Sequence, residues 1–143
     1  MKIDHLALWT FDLERSRLFY EKYFDAKAGA KYFNLKKDFE SYFLSFNDGC
    51  RLEIMQMPGV IPLDPEQLGG KQHTGLIHFA VSVGDKAAVD ILTEKLRTAG
   101  YEIVGEPRMT GDGYYESVVL DPDGNRIEIT ILFFTFATCQ LRL

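Results

Sequence analysis

The chain has 143 residues and a formal net charge of −5, with 46% hydrophobic and 26% charged side chains. That length is one domain, or two small units sharing a core, and that balance is too apolar for a disordered chain. No Lys/Arg run offers a nucleic-acid footprint and no apolar stretch approaches a membrane span, so neither partner is expected.

The N-terminal MKIDHLALWTFDLE turns acidic too soon for a signal peptide, and a cytoplasmic location is expected. Cys50 and Cys139 form no CxxC and read as reduced, inert thiols. The run Ile3-Asp4-His5-Leu6-Ala7-Leu8 reads as a strand. Asp12 then caps a helix to about residue 24, with Leu13, Ser16, Tyr20, Tyr23 and Phe24 near one face. Extended segments follow at about 27–35, 41–46 and 50–57, and Asn47-Asp48-Gly49 turns the last two into a hairpin.

Residues 57–75 hold three prolines and four glycines and form a linker loop, with His73 as a surface residue in it. The second half repeats the order. Leu76-Ile77-His78-Phe79-Ala80-Val81 reads as a strand, and Asp85 starts a helix that stops at Gly100. Strands follow at about 102–109, 115–120 and 125–132, with Asp121-Pro122-Asp123-Gly124 as the turn. The tail 133–143, with Phe133, Phe134 and Phe136, has no counterpart in the first half and needs cover, which favours a homodimer.

The repeat is visible in the residues themselves. DGCRLEI at 48–54 matches DGNRIEI at 123–129 at five of seven positions. The histidines lie 73 residues apart and the glutamates 75. Side chains alternate along a strand, so His5 shares a face with Ile3, Ala7 and Trp9, Glu53 with Arg51 and Met55, and Glu128 with Arg126 and Thr130. Leu52, Ile54, Ile127 and Ile129 supply the apolar face. A carboxylate in such a strand is costly unless it is paired or binds a cation. Taken singly, each His is as well read as a satisfied strand residue, and each Glu as a partner of Arg51 or Arg126. Their recurrence at matching places favours ligands. Two imidazoles and two carboxylates related by an approximate two-fold would converge on one borderline divalent cation and leave open positions for substrate oxygens.

Trp9 and Met55 are candidates to line an apolar pocket beside the ligands, with ordinary core packing as the alternative, weightier for Met55 than for Trp9. The segment RMTGDGYYES, Arg108 to Ser117, is either a loop that closes on substrate or a plain turn, and its Tyr114 and Tyr115 join the pocket candidates. No Ser/His/Asp arrangement, phosphate-binding glycine loop or dinucleotide fingerprint is present.

IDHLAL, DLERSRLFYEKYF, LIHFAVSV and DPDGNRIEI resemble the vicinal oxygen chelate superfamily and, within it, glyoxalase I-like (lactoylglutathione lyase-like) proteins. The resemblance implies an α+β fold in which two βαβββ repeats pair into curved mixed sheets around a metal cavity. It implies a single domain over 1–143, divided into a first unit 1–57, a linker loop 58–75, a second unit 76–132 and an apolar tail 133–143. Carried over residue by residue, it makes His5, Glu53, His78 and Glu128 the ligands of one divalent ion, Ni²⁺ or Zn²⁺ foremost, with Fe²⁺, Mn²⁺ or Co²⁺ as alternatives. It implies a lyase or isomerase of a hemithioacetal-type substrate working through a metal-stabilised enediolate, with Glu128 the better candidate base and Glu53 able to share the role. Two positions depart from bacterial glyoxalase I. Trp9 stands where that enzyme has an Arg for the glutathione carboxylate, and Met57 stands where it has an Asn. Glutathione recognition is therefore not expected. The superfamily also holds epimerases, fosfomycin-modifying enzymes, ring-cleaving dioxygenases and metal-free drug-binding proteins, and a non-catalytic binder of a small molecule is the alternative reading.

Overall fold

The computed structural model describes residues 1–62 and 74–132 of the chain. Its elements run β1 (His5–Trp9), α1 (Leu13–Phe24), β2 (Lys27–Ala28), β3 (Tyr32–Asn34), β4 (Phe39–Ser45), β5 (Arg51–Gln56), β6 (Phe79–Ser82), α2 (Lys86–Thr98), β7 (Ile103–Met109), β8 (Tyr114–Leu120) and β9 (Arg126–Leu132). Two compact units result. The first holds the chain up to the loop after β5 together with the turn Asp121–Gly124, and the second holds Leu76–Leu120 and the strand that follows Asn125. None of the described helices is long and apolar enough to cross a membrane.

The two sheets have one topology. In the first unit the order is β1-β5-β4-β2, with β3 also on β4; in the second it is β6-β9-β8-β7. In each, the opening strand lies parallel to the closing one, and every other pair is antiparallel. The architecture is thus α+β with a βαβββ order used twice. Equivalent positions can be read from the ladders. Phe43 faces Glu53 as Val118 faces Glu128, and Ser41 faces Met55 as Glu116 faces Thr130.

The helices form where their caps and apolar faces require. Asp12 Oδ1 accepts from the Arg15 amide at 2.9 Å and Gln56 Oε1 from the Leu13 amide at 2.7 Å, which satisfies two of the four donors a helix start leaves open. Leu13, Ser16, Phe19, Tyr20, Tyr23 and Phe24 form the buried face of α1, and the helix ends where Asp25 turns left-handed at φ 52°. In α2, Asp85 Oδ1 accepts from Ala88, and Val89, Thr93 and Leu96 are buried. These meet a sheet whose Val119, Ile127 and Ile129 are wholly buried, each such side chain contributing about 1.5–3 kcal/mol.

Some boundaries differ from the expected ones. The segment 27–35 is not one strand. Lys27–Ala28 pairs with the end of β4 and Tyr32–Asn34 with its start, and the chain leaves the ladder between them after Gly29 bonds the Phe43 carbonyl at 2.9 Å. His78 directly precedes β6 rather than lying inside it. Residues 63–73 of the linker, with His73, and the tail 133–143, with Cys139, lie outside the described residues.

The turn Asp121–Gly124 does more than reverse the chain. The Asp123 carboxylate is 4% exposed and accepts four hydrogen bonds within the first unit. They come from Thr10 Oγ1 at 2.6 Å, Ser16 Oγ at 3.0 Å, the Phe11 amide at 3.2 Å and Arg15 Nη2 at 2.7 Å. Asp121 Oδ2 accepts from the buried Tyr20 hydroxyl at 2.8 Å. Burial first, then the Asp121 charge, pushes the Tyr20 hydroxyl well above its ordinary pKa.

Candidate functional site

Each unit carries one His/Glu pair on the sheet face turned away from its helix. On β5, Leu52 and Ile54 are buried on the helix side, so Glu53 lies on the other. On β9, Ile127 and Ile129 play that part for Glu128. His5 Nε2 stands 3.9 Å from Glu53 Oε2, with the side chains 40% and 16% exposed. His78 Nε2 stands 3.3 Å from Glu128 Oε1, with the side chains 41% and 19% exposed. Neither carboxylate takes the arginine that its strand offers: Arg51 is paired with Asp4 instead of Glu53.

Asp4 sets the chemistry of the first pair. Its Oδ2 lies 3.0 Å from His5 Nδ1, and the His5 ring first, then the Arg51 guanidinium, holds the Asp4 carboxyl below the usual range. An Nδ1–H given to Asp4 leaves Nε2 with its lone pair facing the Glu53 oxygen. Two acceptors 3.9 Å apart are too far for a direct hydrogen bond and leave room for a metal ion between them, and a carboxylate behind the imidazole is the usual support of a metal-ligating histidine. The donor set therefore fits a divalent cation. Among the described residues no group of three or more His, Cys, Asp and Glu is gathered about one point, so each unit by itself supplies a pair.

What flanks the pairs differs. In the first unit the register puts Trp9 beside Met55, next to Ala7 beside Glu53. The Trp9 ring meets Phe39 edge to face at 6.1 Å, Phe39 meets Tyr32 at 6.1 Å, and His5 meets Phe43 at 5.2 Å. Trp9 and Met55 thus lie on the Glu53 face, with aromatic neighbours that alternation alone did not reveal. The second unit has a cavity of about 410 Å³. His78 and Ala80 border it from the start of β6, Glu128 and Thr130 from β9, Tyr114 and Glu116 from β8, and Thr110 and Asp112 from the turn before β8. That turn is tightly built: Thr110 Oγ1 donates to Asp112 Oδ1 at 2.5 Å and accepts from the Tyr114 amide at 3.0 Å. Tyr115 is not in the cavity. Adjacent strand residues face opposite ways, and its hydroxyl donates to Asp90 on α2 at 2.7 Å.

Glu116 is the residue that reading the sequence missed. It is 9% exposed, and its Oε1 accepts from Arg108 Nη2 at 3.2 Å. Burial first, then the neighbouring Glu128 charge, raises its carboxyl above the ordinary value, against the pull of Arg108. The available signal was parity: Glu116 stands two residues before Val118, which pairs with Glu128.

Over residues 2–129 the chain matches the family model of the Glyoxalase/Bleomycin resistance protein/Dioxygenase superfamily. It is 32% identical over 128 residues to YqjT, an uncharacterized protein of Bacillus subtilis, spanning 87% of this chain and 94% of that one. Among solved structures it is similar to glyoxalase I from Zea mays, with 26% identity, a TM-score of 0.72 and 90% of this chain covered. It spans only 44% of the maize chain. A glyoxylase/bleomycin resistance protein/dioxygenase domain from Frankia sp. EAN1pec shares the fold at a TM-score of 0.75 and 19% identity, over 93% of this chain and 98% of that one.

Proposed function

The chain belongs to the glyoxalase/bleomycin resistance protein/dioxygenase superfamily, and from that membership and its two His/Glu pairs we propose a metal-dependent lyase or isomerase of a small carbonyl or hydroxy-carbonyl substrate. The observation that carries the reading is the duplication: one imidazole within 3.9 Å of a carboxylate in the first unit, and one within 3.3 Å in the second, at equivalent positions of the same topology. His5, Glu53, His78 and Glu128 would together hold one divalent ion, Ni²⁺ or Zn²⁺ foremost. When bound, such an ion supplies Lewis-acid charge beside the substrate carbonyl.

The chain's own residues would do the rest. Glu128 takes the proton from the carbon next to the carbonyl and returns it to the neighbouring carbon, so the C–H bond broken is replaced by one formed, with no net redox change. Glu53 can share that proton. Trp9 and Met55 flank the first pair with apolar surface and Tyr114 borders the second, whereas Tyr115 is withdrawn into its helix contact. The side chains of His5 and His78 keep 40% and 41% of their exposure, which supports completion of the site in a homodimer. A cytoplasmic location belongs to the same proposal. The test is carbon-bound hydrogen exchange: metal-loaded protein in D₂O should place deuterium beside the carbonyl of a hydroxy-carbonyl substrate, and the metal-stripped protein should not.

A second reading has its own support. The aromatic group of exposed Trp9 and Tyr32 with half-buried Phe39 suits a protein that only binds an apolar small molecule. Tight ligand binding with no exchange in the loaded protein would favour it.

A further inference from the structure

Resting on the lyase or isomerase reading above, we propose that Glu116 is a specificity-determining carboxylate of the second unit's cavity. It selects substrates that present a hydroxyl or ammonium group beside the reacting carbonyl and rejects those that present a phosphate or carboxylate there.

Three observations carry this. The first is that the fold does not ask for an acid at this position. In the first unit the equivalent residue is Ser41, which faces Met55 as Glu116 faces Thr130, and Ser41 is fully buried without a charge. An acid where the fold accepts a serine carries a desolvation cost that the serine does not.

The second is that the strand pairing is arranged to hold this carboxylate. At the far end of the β7–β8 ladder Ile103 stands opposite Val119. An unbroken ladder from there would set Glu106 opposite Glu116 and put two like charges across the strands. Two one-residue register shifts, on either side of Gly105, bring Arg108 there instead. A side chain at Gly105 could not fit easily, since its Cβ would come within 3.1 Å of Val118 Cγ2. Glu106 is left to pair with Arg97 at 2.6 Å. Re-aiming a side chain is what such bulges do beside functional sites.

The third is what the ion pair leaves over. Arg108 engages Oε1, and Oε2 is free to accept from a ligand in the cavity that Glu116 shares with His78 and Glu128. The other polar walls are Thr110, Thr130, Tyr114 and the carboxylate of Asp112. Among the described residues, no lysine or arginine borders the cavity. An anionic substituent would meet carboxylates, whereas a hydroxyl or ammonium would find acceptors. The first unit's pair, flanked by Trp9, Phe39 and Phe43, has only the uncharged hydroxyl of buried Ser41 at the equivalent position.

The experiment compares dihydroxyacetone with dihydroxyacetone phosphate by calorimetry and thermal shift. Both are measured on metal-loaded wild type, on Glu116→Gln and on Glu116→Ser, with metal content determined for each. Wild type should bind the neutral ketone at least about tenfold more tightly than its phosphate. Both variants should lose most of that preference, chiefly by gaining affinity for the phosphate, at unchanged metal content. An unchanged preference in folded, fully loaded variants would overturn the role of Glu116, as would failure of wild type to bind either compound. If wild type takes up no metal, the metal-dependent reading fails on that measurement alone. The preference and its loss are then scored in metal-free protein.

Discussion

Replacing Asp123 by Ala should destabilise the protein more than any turn substitution ordinarily does. The carboxylate is 4% exposed and accepts from two hydroxyls, one amide and one guanidinium. Arg15 is 46% exposed and can return to water, so its share is under about 1 kcal/mol. Thr10 and Ser16 are 3% and 1% exposed, and their hydroxyls keep each other at 2.7 Å after the change. Their bonds to Asp123 and that of the Phe11 amide are lost, at about 1–1.5 kcal/mol each. Those three bonds sum to about 3–4.5 kcal/mol. Asp123→Asn keeps one acceptor oxygen but turns its NH₂ toward donors, and should cost about half as much. Urea unfolding followed by fluorescence of Trp9, the single tryptophan, reads this out in the unit where the network lies. With a slope of about 2 kcal/mol/M, Asp123→Ala should lower the midpoint by about 1.5–2.2 M. A loss below about 1 kcal/mol for the Ala variant would show that the buried network does not stabilise the fold as its geometry implies.

Tyr20 gives a pH test. Its hydroxyl pKa is raised in the folded state, so the stability it confers is complete below the ordinary tyrosine value of about 10 and is lost as pH climbs through the folded value. Tyr20→Phe should cost about 1–3 kcal/mol near neutrality, because buried Asp121 loses a donor. It should also flatten the alkaline limb of a stability–pH curve, and an identical limb in the two proteins would sink the idea. Glu128→Gln should keep part of the metal, since an amide oxygen can coordinate, yet lose proton exchange by about 10²–10⁴-fold. A smaller loss with metal retained would move the base to Glu53. The methylglyoxal–glutathione adduct should be a poor substrate, because Trp9 and Met57 offer its carboxylates no cation; a kcat/KM of about 10⁶ M⁻¹s⁻¹ or more would refute that view of the pocket.

What could be read in the sequence was whatever a short range decides. Asp12 and Asp85 announced their helices because an N-cap acts within three residues. The paired DGCRLEI and DGNRIEI fixed both closing strands and the side on which Glu53 and Glu128 stand. Alternation should also have separated Tyr115 from Tyr114, since neighbours on a strand cannot share a face. Longer-range features stayed hidden. Glu116 looked like an ordinary polar residue in a strand, and only the ladder partners Thr130 and Arg108 bring it into the cavity. The register shifts that deliver Arg108 have no local signature beyond Gly105. Asp121 and Asp123 looked like turn formers, because the side chains that bury them lie about a hundred residues away. The support of His5 by Asp4 was adjacent in sequence, yet it depends on side-chain direction at the strand's first residue.

Metal stoichiometry bears most directly on the proposed site. Protein purified without chelator or metal-affinity tag is analysed for bound metal, alongside His5→Ala, Glu53→Ala, His78→Ala and Glu128→Ala. If the two His/Glu pairs serve one ion, wild type should hold about one divalent ion per pair of units, and each of the four variants should lose most of it. Full retention in His5→Ala and Glu53→Ala, with loss only in the other two, would mean that the pairs do not share an ion. Metal content unchanged in all four would remove the metal site altogether.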